Sequence, residues 1–315
     1  MVTCEVYTQN VKGDWDRFIE SCKSPLFFFK RDFMEYHADR FIDNSLMFYV
    51  EGTLVAVLPA SKHEDTLMSH GGLTYGGLLL SPKIRIETVI AVVEQLLVTA
   101  RQSGFNKIIY KSIPYIFHQQ PNQEDSYALF NRANAKLIRR DLSSVIQLDR
   151  RLPLSKGRKW LIARAKKSNL SISTSTDWDT FYDLLCSVLD KHDARPVHTA
   201  AEMHLIHSRF PQNVALKVVE HESEIIAAAL LFKFKNVVHT QYLSVSAIGK
   251  DLGALDYLLE AVIQESASQG FEYFNFGIST EQNGRYLNEG LVAQKESFGA
   301  RAIALDFYEV NVNES

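Results

Sequence analysis

The run Leu46-Met47-Phe48-Tyr49-Val50-Glu51-Gly52-Thr53-Leu54-Val55-Ala56-Val57-Leu58-Pro59 decides how the chain is read. Leu46–Val50 has the apolar and aromatic content of a strand, Glu51-Gly52 is a turn signal, and Leu54–Pro59 is the returning arm of a hairpin. Outward from it come a polar gap, then Thr66–His70, then the glycine-rich stretch Gly71-Gly72-Leu73-Thr74-Tyr75-Gly76-Gly77. Residues Ile84–Ser103 place apolar side chains at helical spacing and stop at Gly104, a natural C-terminal cap. Lys107-Ile108-Ile109-Tyr110 reads as the next strand.

The same order recurs downstream. Leu216–Val219 is a strand, His221-Glu222-Ser223 a turn, and Ile225–Phe234 the returning strand. His239–Val245 is a further strand, and Gly249-Lys250-Asp251-Leu252-Gly253 opens a helix expected to run to about Ser268. Gly270 caps that helix, and Phe271–Phe276 is the strand after it. Leu46 matches Leu216 and Gly104 matches Gly270 at nearly equal offsets, so the two halves read as a duplication. Each half also opens on helices, Trp15–Ser21 and Arg31–Asp39 in the first, Trp178–Asp190 and Ala200–Ser208 in the second. Each closes on strand-like material, Leu142–Leu148 and Ala302–Val310. The expected class is α/β, with mixed sheets flanked by helices in two tandem domains, 1–149 and 150–315, joined at the linker Arg150–Gly157.

Bulk properties agree with two ordinary domains. The chain has 315 residues, 46% hydrophobic and 23% charged, with a net charge of −3 from 37 acidic and 34 basic side chains. That balance selects no class of partner, so local charge carries the information. Met1–Glu5 has no basic start before an apolar run, and no stretch approaches the ~18 apolar residues of a membrane span. A cytoplasmic protein is expected. Cys4, Cys22 and Cys186 are odd in number and far apart, which argues for reduced thiols and against a disulfide framework or a zinc site. The histidines are dispersed and no third metal ligand stands near any pair, so no metal is expected. There is no nucleophile elbow, P-loop or full dinucleotide fingerprint, which disfavours serine acyl-enzyme chemistry and ATP hydrolysis.

Three segments carry candidate chemistry. The loop Gly249–Gly253 follows a strand and precedes a helix, whose free N–H groups and positive end suit phosphate. Lys250, Gly253 and Ala254 are therefore candidate donor-binding residues, the small ones allowing a pyrophosphate to approach the backbone; the bland alternative is a plain glycine turn. The matching first-half loop, Leu80–Ile84, has Pro82 and no glycine. Second, residues 150–167 hold eight basic side chains and no acidic one. This run reads either as a surface for a polyanion, such as transfer RNA, or as a solvated basic helix. Third, the polar stretch from Phe276 through Arg285 and Asn288 to Lys295 follows a strand, where ligands bind in such sheets. The alternative there is a capped helix, Leu287–Ser297, with ordinary surface polars.

Phe274-Asn275-Phe276-Gly277, Asn288-Glu289-Gly290-Leu291 and Lys295-Glu296-Ser297-Phe298-Gly299-Ala300 together resemble the close of FemAB-like proteins of the GNAT superfamily. So do Ser69–Gly77, the basic helix Ala163–Ser168 and, more weakly, Pro196–Thr199 with Phe210-Pro211. The resemblance implies tandem GNAT domains and transfer of an acyl or aminoacyl group to an amine of a cell-envelope or polysaccharide precursor. The co-substrate would be acyl-CoA or aminoacyl-tRNA, with no permanently bound cofactor. Lys295 matches the family's lysine before Phe-Gly and would stabilise the transfer, with Tyr75 as a second catalytic residue. The acceptor, a small-molecule or lipid-linked amine, would bind in a groove between domains lined by His70, Tyr75, His198, Arg285 and Asn288. Transfer RNA would contact residues 150–167, and peripheral contact with a membrane is compatible with their charge. The family's donor loop carries Arg or Gln, two residues, then Gly-x-Gly or Gly-x-Ala; Lys250–Ala254 matches it only in part. The alternative reading is a degenerate pair that binds an anionic partner without catalysis.

Overall fold

The computed structural model describes residues 1–314. The chain forms two compact units. The first comprises Met1–Asp141, Glu281–Tyr286 and residues from Ala304 onward; the second comprises Leu142–Thr280 and Leu287–Ile303.

The first unit contains β1 (Val2–Val6), α1 (Lys12–Ser21), α2 (Arg31–Met34), β2 (Ile42–Asp43), β3 (Leu46–Val50) and β4 (Thr53–Leu58). It continues through β5 (Ser61–His63), β6 (Thr66–Met68), β7 (Leu79–Leu80), α3 (Ile86–Gln102), β8 (Lys107–Lys111) and α4 (Glu124–Arg132), and into β9 (Lys136–Gln147). The hairpin expected around Glu51-Gly52 is β3–β4, flanked in one sheet by β1 and β7. In the other run of strands β6 lies parallel to β8. Helix α3 turns Val89, Val92, Val93 and Leu96 onto Phe48, Leu58 and Ile108, and Val310 and Val312 from the end of the chain join the same core. Each such fully buried side chain stabilises the fold by about 1.5–3 kcal/mol relative to exposure.

The second unit takes the end of β9 and then α5 (Lys156–Ala165), β10 (Ser171–Ser175), α6 (Trp178–Leu189), α7 (Ala200–Arg209), β11 (Val214–His221), β12 (Glu224–Lys233) and β13 (Val237–Val245). After these come α8 (Ala247–Leu252), α9 (Ala254–Ser268), β14 (Tyr273–Ile278), the short β15 (Thr280–Glu281) and β16 (Tyr286–Leu287), each divided between the units, α10 (Glu289–Glu296) and the first residues, 301–303, of β17 (Arg301–Asn311). The strand order is β10-β11-β12-β13-β14-β9, antiparallel except for the parallel pair β13–β14. Leu258, Leu259, Val262 and Ile263 of α9 bury against Ala227, Ala229 and Leu231 of β12 and against Phe274 and Phe298.

Both units are therefore mixed α/β layers, as the alternation of elements requires. Three local differences from the sequence reading have physical causes. The helix expected from Gly249 breaks into α8 and α9 because Gly253 adopts φ +72°, a left-handed conformation that ends one helix and starts the next. Strand β9 starts at Lys136 rather than near Leu142, because its first six residues set the adjacent, exposed Leu137 and Ile138 among four charged side chains and so lack an apolar alternation. The final strand, expected to close the second half, contributes residues from Ala304 onward to the first unit.

Candidate active site

The chemistry of the second unit gathers where β13 and β14 part. Their parallel ladder pairs Val237 with Tyr273, Val238 with Phe274 and His239 with Asn275, and ends there, whereas β13 continues to Val245. At the same level the register between β14 and β9 shifts between Asn275 and Ile278. The cause is a bulge at Gly277, which sits at φ +77°. Asn275, completely buried, holds the bulge from inside: its Oδ1 accepts the Gly277 N–H at 2.8 Å and the Ser143 hydroxyl at 2.8 Å.

The bulge turns successive carbonyls toward α10. Lys295 Nζ donates to Gly277 O at 3.0 Å, Ile278 O at 2.7 Å and Ser279 Oγ at 2.8 Å. An ammonium has three hydrogens, so these partners account for all of them. Desolvation lowers the Lys295 pKa to about 8. The other end of α10 grips the same loop: the Asn288 N–H donates to Ser279 O at 2.9 Å, while its side chain caps the helix by accepting from Leu291 N at 3.0 Å. Ser279 is fixed in turn by donating its N–H to Leu142 O at 2.8 Å.

His239 stands at the point of the fork. A Cβ on Gly277 would lie 3.3 Å from its Cε1, so the glycine lets the imidazole sit against the bulge. Burial first, and then the Lys295 charge, push its pKa down to about 4, which keeps the ring neutral at physiological pH. Its Nδ1 has no hydrogen-bond partner among the described residues. The fork thus combines a strand edge released from its neighbour, a buried cation anchored on carbonyls and a neutral imidazole. Such an edge can hydrogen-bond an extended, amide-bearing ligand arm at the carboxyl ends of parallel strands.

The residues singled out from sequence fall in several places. Lys295 and Asn288 meet on α10 around the exit of β14. Gly253 and Ala254 are buried beneath α5: a Cβ on Gly253 would lie 2.9 Å from Leu161 O, and Arg158 pairs with Asp256 in the first turn of α9. Lys250 is exposed on α8. His198 is 7% exposed, and its Nδ1 shares a 2.8 Å hydrogen bond with the Tyr242 hydroxyl of β13. Arg285 is exposed on the 281–286 segment, which belongs to the first unit.

Tyr75 and His70 also belong to the first unit, and both are buried. The Tyr75 ring packs 4.6 Å from Phe117 and 6.4 Å from Phe28, a core aromatic setting. His70 has φ +54°, accepts Gly72 N–H at 3.3 Å on Nδ1, and is pushed to a pKa of about 3 by burial and by the nearby His37 and Lys111. Lys111 Nζ donates to His70 O at 2.8 Å and Leu73 O at 2.6 Å, tying down the Ser69–Gly77 stretch.

Of the basic run, Arg151 forms a paired contact with Glu260 at 3.1 and 2.7 Å, and Arg158 binds Asp256 and Ser297 Oγ. Arg158 fastens α5, and Arg151 the segment before it, to α9. Lys156, Lys159, Arg164, Lys166 and Lys167 are exposed, and the Arg164 guanidinium lies 5.5 Å from the ring centre of the exposed Trp160. Sequence reasoning gave no role of their own to His239, Asn275 and Ser279; the Asn between Phe274 and Phe276 and the His after Val237-Val238 were the available signal.

Residues 149–286 match the family described as acetyltransferase (GNAT) domain. In structure the chain is similar to FemX, at 10% identity, with 96% of each chain covered and a TM-score of 0.68. It is similar to L-PGS from Bacillus licheniformis at 13% identity, covering 87% of this chain and 85% of that one, with a TM-score of 0.60. A tandem GNAT protein from the clavulanic acid biosynthesis pathway aligns over 99% of both chains at 11% identity and a TM-score of 0.53. None of the curated proteins matches the sequence.

Proposed function

We propose, from a GNAT acetyltransferase domain over residues 149–286 and a chain with the fold of FemAB-like tandem GNAT proteins, that this acyltransferase moves an acyl group from a thioester or ester donor to a primary amine. The observation that carries the reading is the parting of β13 and β14 beyond His239–Asn275, with Lys295 and His239 beside it. Acyl-CoA is the preferred donor, because its amide-bearing arm suits a strand edge released from its neighbour. The burial of Gly253 and Ala254 supports a donor at the fork rather than at the first turn of α9.

In the transfer the acceptor nitrogen attacks the donor carbonyl carbon, forming the N–C bond, and the C–S bond of the thioester breaks. The thiolate leaves and takes up a proton, and the ammonium formed on the acceptor loses one to a base or a water. Lys295 serves as a positioning residue whose charge lies beside the reacting carbonyl, while it holds the bulge carbonyls away from that oxygen. Neutral His239 provides a polar wall without competing for the oxyanion. The acceptor is proposed to be an amine of a cell-envelope or polysaccharide precursor.

A second reading has its own observation. Five exposed cations on and just after α5, together with the exposed Trp160, make a surface suited to a nucleic acid, and that favours aminoacyl-tRNA as donor or an anionic partner without transfer. Thermal-shift titration of the full chain separates the readings. Acetyl-CoA at about 100 times its Kd stabilises a specific binder by about 2.7 kcal/mol. Stabilisation by acetyl-CoA supports the thioester route and stabilisation by charged transfer RNA the aminoacyl route. A shift with uncharged RNA alone would overturn the enzyme reading.

A further inference from the structure

The first unit contains a cavity of about 320 Å³ away from the features described so far, bounded by the loop after β8, the start of α4 and the final strand β17. Its polar lining includes Ser112, His118, Asn122, Asp125, Asp306 and Tyr308. No lysine or arginine lines it, although Arg140 reaches Asp306 from outside through hydrogen bonds of 2.6 and 2.8 Å.

Two residues of its wall each carry a buried polar atom with no hydrogen-bond partner among the described residues: Ser112 Oγ and Asn122 Oδ1. Asn122 is only 6% exposed, and its Nδ2 is fixed by donating to Ser24 Oγ at 3.1 Å, so the amide oxygen is the end left over. Buried polar groups are nearly always satisfied, and an orphan pair carried by residues of one cavity wall indicates a missing partner. A mobile water could satisfy one atom, but a cavity of this volume holds a small molecule.

The charge of the wall narrows the chemistry. Asp125 is buried and is held by the Tyr110 hydroxyl and by Ser126 N–H at 2.7 Å, not by a cation. Burial raises its carboxyl above the ordinary range, a cost that a bound cation would relieve. Asn122 Oδ1 accepts only, Ser112 and Tyr308 accept or donate through hydroxyls, and the exposed Tyr115 adds an aromatic ring to a wall that also includes Ile113 and Pro114. Acceptors and a buried carboxylate suit an ammonium, hydroxyl partners suit a polyol, and an aromatic face suits the C–H side of a sugar ring.

We propose that this cavity binds a small polyhydroxylated molecule carrying a primary ammonium group, the chemistry of an amino sugar, with the ammonium at Asp125 and Asn122 and ring hydroxyls at Ser112 and Tyr308. The proposal concerns binding alone and does not rest on the transfer reading.

The test is calorimetric titration of the full chain, without any acyl donor, using glucosamine, glucose and N-acetylglucosamine as probes. Glucosamine is expected to bind one to one. Glucose and N-acetylglucosamine, which lack the ammonium, should bind about tenfold or more weakly, the scale of one charge-assisted hydrogen bond. Ser112→Ala should weaken glucosamine binding while leaving the melting temperature unchanged or higher, because the serine hydroxyl gives the fold no hydrogen bond. Equal affinity for glucosamine and glucose, no binding of glucosamine, or an unchanged affinity in Ser112→Ala would each overturn the assignment.

Discussion

The ammonium of Lys295 lies 2.7 Å from the carbonyl oxygen of Ile278, on the outer turn of a bulge that Gly277 makes and Asn275 holds. Replacing it with methionine keeps the stem and leaves two carbonyls and a serine hydroxyl without their donor. Unsatisfied buried groups of this kind cost about 1–3 kcal/mol each when unrelieved by water. Lys295→Met is expected to lower the urea midpoint and to cut kcat with acetyl-CoA by about 100-fold, with a smaller change in KM. Transfer at the wild-type rate in a folded Lys295→Met protein would remove the lysine from the mechanism.

The fork should be sensitive to one methyl group. Gly277→Ala requires a side-chain-bearing residue at φ +77° and places Cβ 3.3 Å from His239 Cε1. The left-handed backbone alone costs about 1–2 kcal/mol. The substitution should raise KM for the acyl donor more than it lowers kcat, which steady-state kinetics at varied donor concentration would reveal.

Acid should destabilise the protein early. His239 and His118 titrate near 4 in the fold and His70 near 3, all held neutral chiefly by burial, against an ordinary value of 6.5. The unfolded chain therefore binds more protons than the folded one between about pH 4 and 6.5, and stability falls as pH drops through that window. Each such histidine contributes a slope of about 1.4 kcal/mol per pH unit there. Urea denaturation at pH 7.5, 6 and 5 should show this, and His239→Phe should flatten part of it. An unchanged slope in that variant would place the His239 pKa near its ordinary value.

Charge on and just after α5 divides into two sets. Arg158→Ala removes a partner of Asp256 and of Ser297 and should lower stability by about 2 kcal/mol, because it strands a half-buried carboxylate. Changing Lys156, Lys159, Lys166 and Lys167 together to glutamate should leave thermal stability within about 1 kcal/mol, since surface charges contribute little. If the aminoacyl route operates, that quadruple variant should lose transfer RNA affinity, and filter binding at two salt concentrations would measure it. Unaltered RNA binding would exclude this helix as the contact surface.

Asn288→Ala separates capping from substrate contact. Loss of the bond to Leu291 N should cost about 1 kcal/mol of stability. A capping role predicts that kcat falls only as far as the folded fraction does, and a substrate role predicts a specific rise in KM for the acceptor.

Much of the fold was legible because its elements obey simple periodicity. The hairpin at Glu51-Gly52, helix α3 ending before Gly104 and helix α9 ending before Gly270 all follow from apolar spacing and glycine stops. The candidate site was less legible. Lys295 could be found from its place after a strand and before Phe298-Gly299, but not that its three donors turn inward onto carbonyls. His239 and Asn275 look like ordinary members of their strands until two ladders, formed by residues far apart in sequence, end at the same level. Gly253 and Ala254 suggested an open phosphate cradle because nothing local reveals that Leu161, from a helix almost a hundred residues earlier, lies against Gly253.

The return of the last strand to the first unit has a consequence for synthesis. A ribosome releases the first 141 residues long before it makes Val310 and Val312, which belong to the core that those residues build. That core must wait, incomplete and with apolar surface uncovered, while the intervening unit is translated. The first part of the chain to emerge is thus among the last to finish folding, and the waiting interval is when it most needs protection from aggregation.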